Sequence, residues 1–482
     1  MYKQYRTIYL LSALLFIVAA YFSQGFYHPD EHAQVMEFAG LKLGLTEKAN
    51  LAWEYGSQMR PAIQPFIVYV THRFFGWLSI DSPFAIAFIL RLFSAALSFL
   101  SIHLLLKAFI DKINGEKLKK TFVLLSFLLW FAVYNSVRFS SENLAGHIFI
   151  IAFALFIGWG NLNARQYFIV GLLLGLSFLF RYQNMFLIAG FLAWILFINK
   201  NKFTDILVIG LGLLLAFGVG MLIDRWFYDE WVLSIWKYFE ENILKDKMSG
   251  FGTSPWYFYF VKIFNEGIPP FSLLYIVPFV LLVIYRPKNP LVWIILPFLA
   301  VHFYIGHKEL RFLFPLIGFI PLLAVQGGEL INEKWQGLLQ KKFFRVFTVL
   351  FWVYNGVFLC LISFKSAESN VSMYKEIYHT YTQPAVLYYT DRNPYDRALV
   401  IHYYKRENLR MQKINSVNEI PLSADTTALF ATCNEVEAAA VSKNNTMIYH
   451  ILPEWVKHFN VTHWVERTHF WKVYEVKNPP VK

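Results

Sequence analysis

The sequence predicts an all-α polytopic membrane protein with a small α/β domain outside the membrane at its C-terminus. Of its 482 residues, 57% are hydrophobic and only 16% are charged, whereas a soluble domain has about 25% charged residues. Long apolar runs recur as far as residue 364, and the remainder of the chain is more polar. Aromatic residues reach 19%, and Tyr and Trp suit the membrane–water interface. These features predict a helical bundle that spans a membrane.

Each apolar run is long enough to cross a bilayer when it is tilted or anchored, because about 17–25 residues span the hydrocarbon. The later runs contain prolines, which membrane helices tolerate when neighbouring groups satisfy the backbone. The first run lacks a small-residue cleavage site, so it is interpreted as a retained helix. Eleven spans are predicted near residues 8–24, 84–106, 121–137, 143–159, 167–180, 184–199, 205–224, 269–285, 290–305, 311–326 and 345–364.

The loops between these spans differ in charge. One set carries most of the lysines and arginines, such as Lys117 and Lys119, and is expected on the cytoplasmic side. These loops account for the net charge of +12, so no nucleic-acid partner is expected. The opposite face receives large loops at 25–83 and 225–268. The remaining loops are compact. Their compactness favours a bacterial inner membrane over the endoplasmic reticulum membrane, although the same topology suits both membranes.

The residues after the last span predict a second domain. Residues 1–364 form the predicted transmembrane domain, and residues 365–482 form an extracytoplasmic C-terminal domain. Stretches rich in β-branched and aromatic residues at 398–404 and 427–432 predict short strands in it. The chain has two cysteines, too few for a disulfide framework.

The first extracytoplasmic loop opens with the segment HPDEH at residues 28–32. Adjacent carboxylates at a bilayer surface are costly to desolvate, which favours a catalytic or ligand role for Asp30 or Glu31. Helix capping is the alternative, because proline and acids suit the first turn of a helix. His28 and His32 have the spacing of a metal pair, but the segment is not a His-Glu-x-x-His motif, so no metal is expected.

Cationic and aromatic residues of other loops form a second set of candidates. The turn HKELR at 307–311 has three cationic groups close together, which suits a phosphate as well as an interfacial anchor. Arg181 and Arg138 are either snorkelling anchors or substrate contacts. Trp256 and Tyr257 are typical of an interfacial belt, with a sugar platform as the alternative.

The helix count places all of these polar segments on the extracytoplasmic face. Nothing in the assignment of the spans required this outcome, so it predicts one cavity built from several loops. The segments lie at residues 28–32, 53–61, 138–143, 181–184, 251–257 and 306–312.

Four of these segments, in their order and spacing, resemble glycosyltransferase family 22. This is a group of membrane mannosyltransferases of the GT-C type that includes the glycosylphosphatidylinositol (GPI) mannosyltransferases, and the resemblance covers about residues 8–325. The Gly-Thr-x-Pro-Trp stretch is most similar to the enzymes that add the third mannose of the GPI anchor. The segments are HPDE at 28–31, WEY at 53–55 followed by Arg60-Pro61, GTSPWYFYF at 252–260 and HKELRF at 307–312.

The resemblance implies an inverting mannosyltransferase. Its donor is expected to be a polyprenyl-phosphate mannose, its acceptor a hydroxyl of a lipid-linked glycan or glycolipid, and its setting the extracytoplasmic side among membrane lipids. Such a donor needs no nucleotide pocket, and the sequence has neither a Gly-rich phosphate loop nor an Asp-x-Asp motif. No metal or other cofactor is therefore expected.

The residues of these segments receive roles from the chemistry that the resemblance implies. Asp30 is expected to act as general base, with Glu31 as the second candidate. Cationic groups are expected to stabilise the departing phosphate. The candidates are His307, Lys308 and Arg311, and Arg181 is a further candidate. The sugar or acceptor site is expected to be lined by His28, Trp53, Glu54, Arg60, Trp256 and Tyr257.

Two other functions stay open at this point. The same chemistry with another polyprenyl-phosphate sugar, such as glucose or an aminoarabinose, would use the same residues. A lipid or glycolipid transporter would place polar groups near the midplane within broken helices and internal repeats. Here the polar groups lie in loops, and no repeat is evident, which favours the enzyme.

Overall fold

The computed structural model describes residues 4–421, 425–451 and 470–477. They form two compact units. The first, here called the helical unit, consists of residues 4–23, 54–67 and 88–365. The second, here called the sheet unit, consists of residues 24–53, 68–87 and the described part of 366–482. Part of the first predicted loop therefore folds together with C-terminal residues.

The helical unit is built from apolar α-helices, and every predicted span falls on helix. Helices that contribute residues to both units are Trp53–Gly56, Ile63–Trp77 and Pro83–Phe109. The other α-helices of the unit are Arg6–Phe22, Glu116–Leu128, Trp130–Ser136, Ser141–Trp159, Ala164–Phe180, Met185–Ala193, Phe203–Tyr228, Ser234–Phe239, Phe258–Glu266, Leu273–Tyr285, Pro290–Tyr304, Ile320–Lys334 and Lys342–Ser363. Short 3-10 or π-helical turns lie at Ile110–Lys112, Tyr182–Asn184, Trp194–Ile198, Glu240–Leu244, Lys247–Phe251, Leu310–Phe319 and Leu338–Gln340.

Polar side chains determine where several of these helices begin. Asn163 and Gln166 form a reciprocal capping box, with N···O distances of 3.0 and 2.9 Å. The Ser140 hydroxyl accepts a hydrogen bond from the Asn143 N–H at 3.3 Å. Such caps satisfy N–H groups that the first turn leaves without a partner inside the helix. Local sequence therefore contributes to where these helices begin.

By length and composition, five helices of the described residues can cross a membrane. Two bent pairs, with angles of 47° and 114°, raise the number to seven if each pair is one span. The fold class is confirmed as an all-α polytopic membrane protein with a small C-terminal α/β part, whereas the count of eleven spans stays a prediction. The five helices are Pro83–Lys112, Ser141–Trp159, Phe203–Tyr228, Leu310–Lys334 and Lys342–Ser363. The bent pairs are Glu116–Leu128 with Trp130–Ser136 and Leu273–Tyr285 with Pro290–Tyr304. Shorter apolar helices are Arg6–Phe22, Ala164–Phe180 and Tyr182–Ile198.

The helices Ala164–Phe180 and Phe203–Tyr228 pack closely because glycines line their contact. A Cβ atom added at Gly171 would overlap the carbonyl oxygen of Ile209, and one at Gly175 would lie 2.6 Å from the Ala216 Cβ. Small residues let helix backbones approach each other in a membrane, where dispersion contacts replace the hydrophobic effect as the source of association.

The sheet unit contains five strands: β1 Ala385–Tyr389, β2 Leu409–Lys413, β3 Thr427–Thr432, β4 Thr446–His450 and β5 Lys472–Glu475. They form one sheet of order β2-β1-β3-β5-β4. Strand β1 pairs in parallel with β2 and β3, and β5 pairs antiparallel with β3 and β4. Strand β3 confirms the strand predicted at 427–432, and its side chains are almost all buried. The helices and helical turns of the unit are Pro29–His32, Ala33–Glu37, Phe38–Leu43, Lys48–Asn50, Asn370–Thr380, Val417–Glu419 and Glu435–Ser442.

The other predicted strand, at residues 398–404, is wrong. Ala398 has a φ of +72°, which an extended strand does not contain. The backbone N–H groups of His402 and Tyr403 donate to the Glu37 carboxylate at 2.9 and 3.0 Å. The aromatic and β-branched residues of this stretch indicate burial, and here a side-chain acceptor satisfies the buried backbone in place of a neighbouring strand.

We predict that Gly171→Ala destabilises the protein by ~1–3 kcal/mol, because overpacking forces backbones apart. The matched control is Gly218→Ala on the helix Phe203–Tyr228, where an added Cβ meets nothing within 4 Å. This control is expected to be neutral or to gain ~0.5–1 kcal/mol, because alanine favours helix over glycine. Thermal unfolding of both variants in detergent tests the prediction, and equal melting temperatures would contradict it.

Candidate functional site

A buried carboxylate lies between two guanidinium groups in the helical unit. Glu142 Oε1 is 2.7 Å from Arg181 Nη1 and 3.8 Å from Arg311 Nη1. The three side chains are 3%, 6% and 9% exposed, respectively. A buried charge is costly unless it is paired and hydrogen-bonded, so each of these groups depends on the others.

Interruptions of the helices place these three side chains. Glu142 lies in the first turn of the helix Ser141–Trp159, where the helix dipole favours an acid. Arg181 ends the helix Ala164–Phe180 in an extended conformation, with φ −154° and ψ 112°. Arg311 lies at the start of the 3-10 segment Leu310–Phe319. Each charged group thus stands where regular helix stops or starts.

Glu309 supplies a second carboxylate to the same cluster. It accepts hydrogen bonds from Arg311 Nε at 2.5 Å and from Arg311 Nη2 at 3.2 Å. His307 Nε2 lies 3.1 Å from Glu309 Oε1, and His307 Nδ1 lies 2.9 Å from the carbonyl oxygen of Gly252. Both ring nitrogens face acceptors, so the protonated imidazole is the form that makes both bonds at once.

The segment at 252–254 packs on the turn that carries these residues. The Ser254 N–H donates to the Gly306 carbonyl at 2.9 Å, and Lys308 Nζ donates to the Ser254 carbonyl at 3.0 Å. Lys308 Nζ also donates to the carbonyl of Ile305. Burial lowers the pKa of Lys308 from its ordinary value. Two segments that are 50 residues apart in the chain therefore form one structure.

The two arginines of this cluster are matched in number by two carboxylates. Arg181 and Arg311 oppose Glu142 and Glu309, and both guanidinium groups lie against the ring of Phe312, at 5.2 and 5.6 Å from its centroid. Planar guanidinium groups bind phosphate oxygens with the same two-pronged geometry that they use for carboxylates. The arrangement can therefore hold an anion that takes over bonds now made by carboxylates.

The segment that carries Glu54 and Arg60 is fixed to the end of another helix. Arg60 Nη2 lies 3.5 Å from Glu54 Oε1, and the Arg60 carbonyl accepts a hydrogen bond from the Tyr228 hydroxyl at 2.8 Å. The Arg60 guanidinium also lies 5.8 Å from the ring centroid of Tyr238, whose hydroxyl is bonded by Gln183. Arg60 is thereby linked, through Tyr238, to the turn that follows Arg181.

Asp224, in the last turn of the helix Phe203–Tyr228, secures the same segment. Its carboxylate accepts the Ala62 N–H and the Ser234 hydroxyl, both at 2.7 Å. A single acid inside an apolar run is a signal that sequence reasoning could have used, because such acids are costly and usually functional or structural.

The acidic segment at 28–32 belongs to the sheet unit. His28 caps the helix Pro29–His32: its Nδ1 accepts the Asp30 N–H at 3.3 Å and lies 3.6 Å from the Asp30 carboxylate. Glu31 accepts the Tyr27 N–H at 3.0 Å. The capping alternative is thus realised by His28 and Glu31, while the side chain of Asp30 is 33% exposed.

The predicted site residues fall into four groups. Arg181, His307, Lys308 and Arg311 come together in the helical unit, and Glu54 pairs with Arg60 there. The rings of Trp256 and Tyr257 are exposed and meet edge to face at 5.9 Å. His28, Asp30, Glu31 and Trp53 belong to the sheet unit.

Sequence reasoning gave no role to Glu142, although it lay within the polar segment 138–143. The signal was an acid at the start of an apolar helix. Arg138, from the same segment, is buried and donates to the Ser23 hydroxyl, and its guanidinium lies 4.4 Å from the Tyr134 ring centroid. Among the described residues, no group of three or more His, Cys, Asp or Glu side chains is arranged to hold a metal ion.

We predict that Glu142→Gln destabilises the protein by ~3–5 kcal/mol, because it leaves two buried cations underbalanced. Inorganic phosphate is expected to raise the melting temperature of this variant more than that of the wild type, because the anion replaces the lost charge. The measurement is thermal unfolding in detergent across a phosphate titration.

The matched control for this prediction is Glu329→Gln. Glu329 is also buried, accepts the Asn114 N–H at 2.8 Å and lies 3.8 Å from Arg286. This control is expected to lose stability without a gain in the phosphate response. The same phosphate response in both variants would contradict a specific anion site at Glu142.

Comparison with known proteins places these features in a family. The sequence model of the Alg9-like mannosyltransferase family matches residues 7–402. Mannosyltransferase APTG1 of Arabidopsis thaliana is 26% identical over 329 residues, which cover 67% of this chain and 58% of that protein. GPI alpha-1,2-mannosyltransferase 3 of Bos taurus is 24% identical over 366 residues, which cover 73% of this chain and 64% of that protein. The match thus spans about three-fifths of the length of these relatives.

The fold is similar to that of a solved structure. The structure of ArnT from Cupriavidus metallidurans bound to undecaprenyl phosphate covers 100% of both chains with a TM-score of 0.54 and 11% sequence identity. The resemblance to glycosyltransferase family 22 and the GT-C fold are confirmed. The match over residues 7–402 shows that this chain belongs to the Alg9-like mannosyltransferase family.

Proposed function

We propose that this protein is an inverting mannosyltransferase. It moves mannose from a polyprenyl-phosphate-mannose donor to a hydroxyl of a lipid-linked glycan or glycolipid, at the extracytoplasmic face of the membrane. Membership of a mannosyltransferase family supports the sugar and the reaction class. The similar fold of a protein that was solved with undecaprenyl phosphate supports a polyprenyl-phosphate donor.

The observation that carries this proposal is the pair of buried guanidinium groups of Arg181 and Arg311 around Glu142. When the sugar leaves its donor, negative charge grows on the departing polyprenyl phosphate. Preorganised cations in a water-poor site stabilise such charge more than cations in water do. His307 and Lys308, on the same turn as Arg311, are proposed to complete the phosphate contacts.

Asp30 is proposed as the general base that takes the proton from the acceptor hydroxyl. A base needs a lone pair directed at the substrate proton. Glu31, whose carboxylate accepts the Tyr27 N–H, is the second candidate. Attack from the side opposite the leaving phosphate inverts the anomeric carbon, so a β-linked donor gives an α-mannoside.

The remaining candidates are proposed to contact the sugar or the acceptor. The exposed rings of Trp53, Trp256 and Tyr257 offer apolar faces for a sugar ring or a lipid. Glu54 and Arg60, held by Tyr228, present polar groups for hydroxyls. His28 borders Asp30 directly.

We further propose that the reaction needs no cofactor and takes place at a bacterial inner membrane. No metal or other cofactor takes part in the proposed reaction, because the phosphate is met by side-chain cations. The compact loops of the sequence favour a bacterial inner membrane over the endoplasmic reticulum membrane.

The proposal predicts transfer in detergent, where transport across a membrane has no meaning. The purified full chain is incubated with radiolabelled β-linked polyprenyl-phosphate mannose and a total lipid extract. Label is expected in a new glycolipid, and α-mannosidase is expected to release the labelled mannose from it. Release by β-mannosidase instead would contradict the inverting mechanism.

Two other outcomes decide between the alternatives. Transfer from a polyprenyl-phosphate glucose or aminoarabinose, without transfer from the mannose donor, would show that the sugar differs. Failure of every donor, together with lipid movement in proteoliposomes that contain the protein, would show a transporter.

We predict that Asp30→Asn lowers turnover by ~10²–10⁴-fold, because loss of a general base costs that much, while the variant folds normally. Glu31→Gln, which keeps an oxygen for the Tyr27 N–H, is the matched control and is expected to stay within about tenfold of wild type. Initial rates at saturating donor test this. Near-native turnover of purified Asp30→Asn would rule out the assignment, and selective loss in Glu31→Gln would move the role to Glu31.

A further inference from the structure

The carboxylate of Glu37 joins two distant parts of the chain within the sheet unit. Its Oε1 atom accepts hydrogen bonds from His32 Nε2 at 2.8 Å, the His402 N–H at 2.9 Å and the Tyr403 N–H at 3.0 Å. Its Oε2 atom accepts a bond from the Thr46 hydroxyl at 2.5 Å. The side chain is 2% exposed, so water does not substitute for these four bonds.

These donors keep the carboxylate ionised. Burial alone would raise the pKa of Glu37, but the hydrogen bond and charge of His32 and the bonds from Thr46 and Tyr403 lower it from its ordinary value. A buried anion that is fully hydrogen-bonded is rigid, because any shift breaks several charge-assisted bonds at once.

Glu37 lies close in sequence to the proposed base, so the hydrogen bonds of its carboxylate, here called the Glu37 anchor, also act on the helix that carries Asp30. The helix Pro29–His32, which carries the proposed base, is followed directly by the π-helical turn Ala33–Glu37. His32 is both the last residue of that helix and a donor to Glu37. The His32 ring also stacks on Tyr404, with centroids 5.2 Å apart.

A second anchor holds the other end of this stretch. The Gln24 carbonyl accepts hydrogen bonds from the N–H groups of Ala367 and Glu368, at 2.8 and 3.1 Å. Gly25 has a φ of +85°, and a Cβ there would lie 2.6 Å from the Glu368 Cβ, so only glycine permits this approach. The chain from 24 to 37 is thus tied to C-terminal residues at both ends.

We propose that Glu37 is a positioning residue for transfer: its carboxylate fixes the helix Pro29–His32 on residues 402–403 and thereby sets the orientation of Asp30. This inference rests on the proposed role of Asp30. It gives the C-terminal residues a function in the reaction, as the support of the acidic helix.

The expected effect follows from how steeply catalysis depends on placement. A displacement of about 1 Å at a reacting group costs on the order of 10²-fold in rate. Donor affinity is proposed to depend mainly on the phosphate contacts of Arg181 and Arg311, so loss of the anchor is expected to act on kcat and to leave the KM of the donor within about threefold of wild type.

Glu37→Met tests this, because methionine has a similar length and accepts none of the four bonds. Glu37→Gln is the conservative variant: its amide oxygen can accept from His32 and from the N–H groups of 402 and 403, and its amide nitrogen can donate to Thr46. Glu437→Met is the matched control, since Glu437 accepts the hydroxyls of Thr390 and Thr432, at 2.9 and 2.7 Å, and has no part in the acidic helix.

Each purified full-length variant is measured for kcat and KM of the donor and for hydrogen exchange of residues 27–37. Glu37→Met is expected to lose kcat by ~10–100-fold with little change in KM, Glu37→Gln to recover most of it, and exchange in 27–37 to rise in Glu37→Met alone. Unchanged kcat in Glu37→Met, or an equal loss in Glu437→Met, overturns the inference.

The hydrogen-exchange measurement separates this inference from the proposed function. If the wild type transfers no sugar, the proposed function fails, and faster exchange of 27–37 in Glu37→Met still supports the anchor. If the wild type transfers mannose and exchange does not change in Glu37→Met, the anchor fails while the proposed function stands.

Discussion

The pairing of Glu142 with Arg181 and Arg311 constrains the helical unit more than any other contact of its candidate site. An unpaired ion inside an apolar bundle costs several kcal/mol even after relaxation, so the carboxylate and the two guanidinium groups must be placed together. Straight helices would not place them so. Regular structure stops at residue 181 and at residues 305–309, and these breaks bring the cations to the first turn of the helix Ser141–Trp159.

Glu142 and Glu37 are equally buried but differ in what satisfies them. Glu142 is paired with side-chain cations, which can transfer their bonds to an incoming phosphate by a change of rotamer. Glu37 is held mainly by neutral donors, two of which are backbone N–H groups of 402–403. Backbone donors do not move without unfolding the segment. The first carboxylate therefore suits a place where a ligand is exchanged, and the second suits a fixed support.

The sequence was sufficient for whatever depends on composition and local pattern. Every predicted span falls on helix, because an apolar run of that length has few other structures in a bilayer. Residue types identified Arg181, His307 and Arg311 as members of one site. Pairings could not be predicted: Arg181 and Glu142 are 39 residues apart, and Glu37 and His402 are 365 residues apart. The strand wrongly predicted at 398–404 has the same cause, since an acceptor from a distant residue replaced a strand neighbour.

The equal number of arginines and carboxylates in this cluster bears on how it would act in the proposed reaction. A polyprenyl-phosphate sugar is a phosphodiester with one negative charge, and the released phosphate monoester approaches two near neutral pH. Cations that are already engaged with Glu142 and Glu309 gain little by binding the singly charged donor. They gain more as the second charge develops, when the phosphate competes better than a carboxylate for the guanidinium groups. Binding that strengthens towards the transition state accelerates a reaction, whereas equally strong binding of donor and transition state does not. In the proposed reaction, the carboxylates of this cluster would thus weaken the binding of the donor more than the binding of the transition state.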